Sequence, residues 1–101
     1  MKKTRVLVVD DNKSLVEMIK EYFKERPEVT ISLEAYDGAE GIRLIEKKQE
    51  EYDIILLDLI MPNKDGIAVL EYMKKKSIDK KVIVLTSYNT CLLYTSDAAD
   101  D

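Results

Sequence analysis

Three short stretches of this chain are apolar almost throughout, and each stops abruptly at polar residues. They are Val6 to Val9 ahead of Asp10-Asp11-Asn12, Ile54 to Met61 interrupted only by Asp58 and closed by Pro62, and Val82 to Leu85 ahead of Thr86-Ser87. Runs this short and this continuous predict strands buried on both faces, which in turn demand a parallel sheet with helices on either side. The intervening segments carry the helical period. Leu15, Met18, Ile19, Tyr22 and Phe23 form one stripe, Ile42, Leu44 and Ile45 a second, and Ile67, Leu70 and Met73 a third. Ser14 and Glu17 have the spacing of a capping box, and Pro27 follows the end of the first helix.

Between the first two helices, Val29, Ile31, Leu33 and Ala35 alternate with polar residues, which predicts a strand with one wet face at a sheet edge. Asp37-Gly38 would suit a hairpin, but a helical pattern follows it, so a strand-to-helix loop is expected. Strands and helices therefore alternate, and right-handed crossovers follow. With the half-wet strand outside and the apolar ones inside, the expected order is 2-1-3-4, a doubly wound, flavodoxin-like α/β sheet.

Only 14 residues follow Ser87, too few for the crossover, strand and closing helices that would complete such a sheet. A fifth strand and the last helices are therefore expected to be missing, which would leave the fourth strand as an open edge and one sheet face bare, a recipe for poor stability or association. The tail from Cys91 to Asp101 shares none of the preceding pattern and resembles a translated sequencing-library adapter. The expected organisation is a partial domain over residues 1–89 and a non-native tail over 90–101.

Composition narrows the chemistry. A hydrophobic share of 46% fits a globular domain, and a net charge of −4 argues against a nucleic-acid-binding face, so any DNA contact would need a domain beyond these residues. No apolar stretch approaches the roughly 20 residues of a membrane span, and Met1-Lys2-Lys3 leads into a strand pattern rather than a signal-peptide core, so a cytoplasmic protein is expected. One Cys permits no internal disulfide. The absence of His removes imidazole ligands, His-based triads and a phosphohistidine carrier role. The chemistry must run on carboxylates.

Ligands in sheets of this kind bind at the carboxyl ends of the strands, near the switch in strand order. Asp10, Asp11, Asp58 and Thr86 all fall on that rim. Three carboxylates in one crevice repel each other unless some stay protonated or a cation neutralises them, and Mg²⁺ suits an all-oxygen site. Each residue also has a plainer reading. Asp10-Asp11-Asn12 would serve as a helix cap, Asp58 as half of a buried ion pair with a lysine, and Thr86-Ser87 as the polar stop of a strand.

Val-Leu-Val-Val-Asp-Asp-Asn, Ile-Ile-Leu-Leu-Asp-Leu-Ile-Met-Pro-Asn-Lys-Asp-Gly and Val-Ile-Val-Leu-Thr-Ser resemble, in order and spacing over residues 4 to about 89, the motifs of two-component response-regulator receiver domains. The resemblance implies that Asp58 is the phosphoacceptor, that Asp11 and Asp58 ligate Mg²⁺ with Asp10 acting through water, and that the Ile60 carbonyl is a further ligand. It also implies that Thr86 is the switch hydroxyl and that Pro62 and Gly66 shape the adjoining loop. A histidine kinase or phosphotransfer protein would be the phosphoryl donor, and phosphorylation would promote a homodimer. The lysine and the aromatic residue that the family carries on its fifth strand have no counterpart here. The stretch from Asp58 to Glu71 is similar to receivers of sporulation transcription factors of spore-forming Firmicutes. Two other classes stand beside this reading: a stand-alone receiver that acts by docking, and a Mg²⁺-dependent phosphatase with an aspartyl nucleophile. The latter needs a second Asp where Ile60 stands.

Overall fold

The computed structural model describes residues 3–62, 65–85 and the backbone of 91–94. Its elements are β1 (Thr4–Val9), α1 (Lys13–Phe23), β2 (Val29–Ala35), α2 (Gly38–Lys47), a 3-10 turn (Gln49–Glu51), β3 (Ile54–Asp58), α3 (Asp65–Lys75), β4 (Lys81–Leu85) and β5 (Cys91–Tyr94). The sheet order is β2-β1-β3-β4-β5, and the first four strands are parallel, as the apolar runs require.

Alternation along the central strands divides the core in two. Leu7, Val9, Ile55, Leu57, Val82 and Val84 face α2 and α3, where they pack with Leu44, Ile45, Val69 and Met73. Val6 and Val8 face the other way, toward Val16 of α1, in a much smaller cluster. Among the described residues, one face of the sheet has two helices and the other has α1.

The edge strand departs from the expectation of one wet face. The β1–β2 register shifts between Val6 and Leu7, which pair with Ile31 and Leu33 and leave Ser32 over. That bulge reverses the alternation, because one extra residue swaps the faces of everything after it. Val29 and Ile31 pack on the α1 side, while Leu33 and Ala35 pack with α2 and α3. The Ser32 hydroxyl bonds the Glu51 carbonyl at 2.8 Å, which gives the bulged residue a polar partner. Beyond the bulge, Glu34 turns to the α1 side and meets Lys20 at 2.7 Å.

The starts of α1 and α2 are set by Asx side chains. Asn12, not Ser14, caps α1 by accepting from the Leu15 amide, so the capping-box expectation gives way to a cap two residues earlier. Asp37 caps α2 by accepting from the Glu40 amide at 2.8 Å, and Glu40 accepts in return from the Tyr36 amide, which bears out the strand-to-helix reading of Asp37-Gly38.

The second departure is at the other edge. A fifth strand was expected to be missing and β4 to be an open edge, yet β5 pairs with β4 antiparallel, Leu85 opposite Cys91 and Val82 opposite Tyr94. Five residues connect the two strands, enough to reverse direction and too few for a crossover. The unpaired row of β4 amides and carbonyls supplies the template for that pairing.

Tyr52 closes the α2 side. Its ring is fully buried and its hydroxyl donates to the Ile45 carbonyl at 2.8 Å, burial pushing its pKa up to about 12. Tyr52→Phe is expected to cost about 1 kcal/mol, the net worth of one such bond, measurable as a lower urea midpoint with unchanged slope.

Candidate functional site

Parallel strands end on the same side, so β1 and β3, hydrogen-bonded neighbours, deliver their terminal carboxylates to one place. Asp10 follows β1, Asp11 opens the loop to α1, and Asp58 ends β3. One carboxylate oxygen from each lies within 4.8 Å of the others. Asp10 and Asp58 are held alike: Asp10 accepts from the Asn12 amide at 2.9 Å, and Asp58 accepts from the Ile60 amide at 2.9 Å. Such side-chain turns two residues long fix a carboxylate at the end of a strand.

The three differ in burial. Asp10 is 2% exposed, Asp58 half-buried and Asp11 exposed. Asp10 Oδ2 is buried without a hydrogen-bond partner. Burial, with the charges of Asp58 and Asp11 adding to it, pushes the Asp10 carboxyl up to about 6 against the pull of the Asn12 amide. Asp53, at the opposite end of the sheet, shows what a satisfied carboxylate looks like: the Arg5 guanidinium, bonded to it at 3.0 and 3.1 Å, brings it down to about 2. Among the described residues Asp58 makes no ion pair, so the plainer reading as half of a salt bridge finds no lysine to support it.

The donor set suits a hard cation: three carboxylates, one buried oxygen still lacking a partner and, among the described residues, no nitrogen or sulfur ligand. Ile60 sits beside them, its amide on Asp58 and its side chain 49% exposed. Thr86 lies outside the described residues, as do Asn63 and Lys64 of the loop after Pro62.

Sequence reasoning gave Gly66 only a loop-shaping role, and its contact with the site is closer than that. A Cβ at Gly66 would stand 2.4 Å from the Asp58 carbonyl oxygen and 2.8 Å from Leu59 Cα. The start of α3 therefore lies directly against the backbone that carries Asp58. Asp65 joins that start to α2 by accepting from the Gly38 amide at 3.1 Å. The only linear signal was the pair Asp65-Gly66 after a proline, which by itself reads as an ordinary turn.

Sheet and site together define a doubly wound α/β domain with an acidic pocket at its switch point. The chain belongs to the response regulator receiver domain family, which residues 6–99 match. It is 35% identical over 86 residues to a probable C4-dicarboxylate response regulator, DctR, of Bacillus subtilis, a match covering 85% of this chain and 37% of that protein. It spans little more than a third of the length of that relative. Among solved structures, the Francisella response regulator 1452 receiver domain is 35% identical with a TM-score of 0.74, over 87% of this chain and 69% of that one. The CheX–CheY–BeF3–Mg complex from Borrelia burgdorferi matches at 28% identity and a TM-score of 0.73, over 83% of this chain and 62% of the other. The chain is thus a receiver domain of the two-component kind, a family of regulators. Among the described residues no helix is long and apolar enough to cross a membrane.

Proposed function

We propose that Asp58 is the phosphoacceptor of this receiver and that Asp10, Asp11, Asp58 and the Ile60 carbonyl form its Mg²⁺ site. The observation that carries the reading is the buried, unpartnered Asp10 Oδ2 beside two further carboxylates, an arrangement whose like charges call for a cation. Mg²⁺, when bound, would offset those charges and the negative charge of an incoming phosphoryl group. The Borrelia complex, named with BeF3 and Mg, supports the same chemistry.

The Asp58 carboxylate attacks the phosphorus of a phosphohistidine in line; the new bond forms to oxygen, the bond to imidazole nitrogen breaks, and the ring leaves. The Ile60 amide holds the Asp58 oxygen it binds, so the carboxylate is oriented before the donor arrives. Thr86 then reads the added charge by hydrogen bonding and passes it to a two-state element. The donor is a histidine kinase or phosphotransfer protein, and phosphorylation favours a homodimer in the cytoplasm. A DNA-binding output domain, reached through chain beyond these residues, is in keeping with the length of the Bacillus relative. Within the family, the stretch from Asp58 to Glu71 favours a sporulation-type transcription regulator. The tail over 90–101 is read as foreign to the natural protein, and sequencing the gene beyond Ser87 tests both points.

For the phosphoacceptor, label from acetyl phosphate in the presence of Mg²⁺ is expected on the wild type and absent from Asp58→Asn. Label that persists in the variant would move the acceptor elsewhere.

A further inference from the structure

All three glycines of the chain stand at the starts of α2 and α3, although glycine is a poor helix former. Each marks a close approach. A Cβ at Gly38 would stand 2.9 Å from Asp65 Cβ, and one at Gly41 would stand 2.9 Å from Cγ1 of Val9, the residue before Asp10. Gly66 meets the Asp58 backbone in the same way. The starts of α2 and α3 thus touch each other, and they press on the two strand ends that carry Asp10 and Asp58.

One side chain fastens these helix starts together. Asn12 and Asp37 accept from amides three residues on, in the helices they precede. Asp65 instead accepts at 3.1 Å from the amide of Gly38, 27 residues away. That amide is the first of α2, one of the four at a helix start that have no partner within their own helix. Asp65 is also the neighbour of Gly66, so the bond ties α2 to the very turn of α3 that abuts Asp58. Further along, α3 is anchored by Val69 and Met73 in the core.

We infer that Asp65 is a positioning residue for the acidic site: by fastening α3 to α2 it makes the two helix starts one support, which sets where the Asp58 carboxylate stands relative to Asp10. The support has two bearings, Gly66 on Asp58 and Gly41 on Val9. With the Asp65 bond cut, the start of α3 shifts independently of α2. Asp58 then loses its fixed place, while Asp10 keeps the bearing on Val9. A cation held between carboxylates of different strands is sensitive to that loss, because its affinity depends on the groups that orient its ligands. The consequence for Mg²⁺ rests on the reading of the site proposed above; the fixing of the Asp58 backbone does not.

Asp65→Ala removes the acceptor, and Asp65→Asn keeps an oxygen in its place. Hydrogen exchange of the metal-free 101-residue chain reads the support directly. In Asp65→Ala the amides of Leu59, bonded to the Leu85 carbonyl, and of Ile60, bonded to Asp58, should exchange about fivefold faster, the effect of one lost hydrogen bond on local opening. The Asp53 amide, bonded to the Arg5 carbonyl at the opposite end of the sheet, should exchange as in the wild type. By calorimetry, the Mg²⁺ dissociation constant should rise about tenfold in Asp65→Ala and return toward the wild-type value in Asp65→Asn. Tyr52→Phe, which loses a hydrogen bond at the opposite end of β3, should leave that constant unchanged, so lost stability alone does not produce the effect. Exchange unchanged at Leu59 and Ile60, or quickened equally at Asp53, would overturn the inference. So would a Mg²⁺ affinity that Asp65→Ala leaves intact. If the wild type binds no Mg²⁺, the reading of the site fails, and the exchange comparison alone decides the role of Asp65.

Discussion

Gly66→Ala is expected to destabilise the domain by about 3 kcal/mol, the upper end of what overpacking against fixed atoms costs. For a chain of this size that corresponds to a fall in Tm of roughly 12–20 °C. The sign is informative. Gly66 lies in the first turn of α3, and helix propensity alone would make alanine the better residue there by up to about 1 kcal/mol. The added Cβ, however, would stand 2.4 Å from the Asp58 carbonyl oxygen, a backbone atom that cannot swing aside. Relief requires α3 or the end of β3 to move, and Asp58 travels with the latter. The variant should therefore also weaken Mg²⁺ binding, read by calorimetry. A variant as stable as the wild type would show that the two backbones do not approach so closely.

The second large effect is electrostatic. Asp10 has a folded-state pKa of about 6 against 3.8 when unfolded, so the folded, metal-free domain binds the extra proton. A raised carboxyl pKa means that stability is highest below about pH 4 as far as this group is concerned, and is lost as pH rises from about 4 to about 6. About 3 kcal/mol is at stake by linkage. Asp53 works in a different window, since its depressed value of about 2 gives stability that is lost only as pH falls below about 4. Asp10→Asn should abolish the decline between pH 4 and 6 and stabilise the metal-free domain at pH 7 by about 2 kcal/mol, roughly 10 °C in Tm. Thermal melts with and without Mg²⁺ check this. Mg²⁺ should raise the Tm of the wild type at pH 7, progressively less as pH falls through about 6, and hardly at all in the variant, because the ion needs ionised ligands. A wild-type melt independent of pH between 4 and 6 would contradict the electrostatic account of the site.

Both results turn on contacts between segments far apart in the chain, and that is where linear reasoning and the folded molecule part company. Continuous apolar runs can only be strands covered on both sides, so β1, β3 and β4, their parallel arrangement and the gathering of Asp10, Asp11 and Asp58 at one rim were legible in the order of residues. The same logic failed at β2. Its alternating residues look like one wet face, yet the bulge at Ser32 is invisible to periodicity and divides Val29 and Ile31 from Leu33 and Ala35. It failed again at the helix start, where Asn12 and Ser14 compete and loop geometry chose Asn12.

Local order along the chain, together with residue chemistry, determined which side chains meet. How they meet was decided only in three dimensions: that Asp10 is the buried carboxylate and Asp11 the exposed one, that Gly66 abuts Asp58, and that β5 runs antiparallel on β4. The physical reason is one of range. Hydrophobic period and turn chemistry act over a few residues and are written there, whereas desolvation, steric approach and the covering of a sheet face depend on atoms brought together from distant parts of the chain.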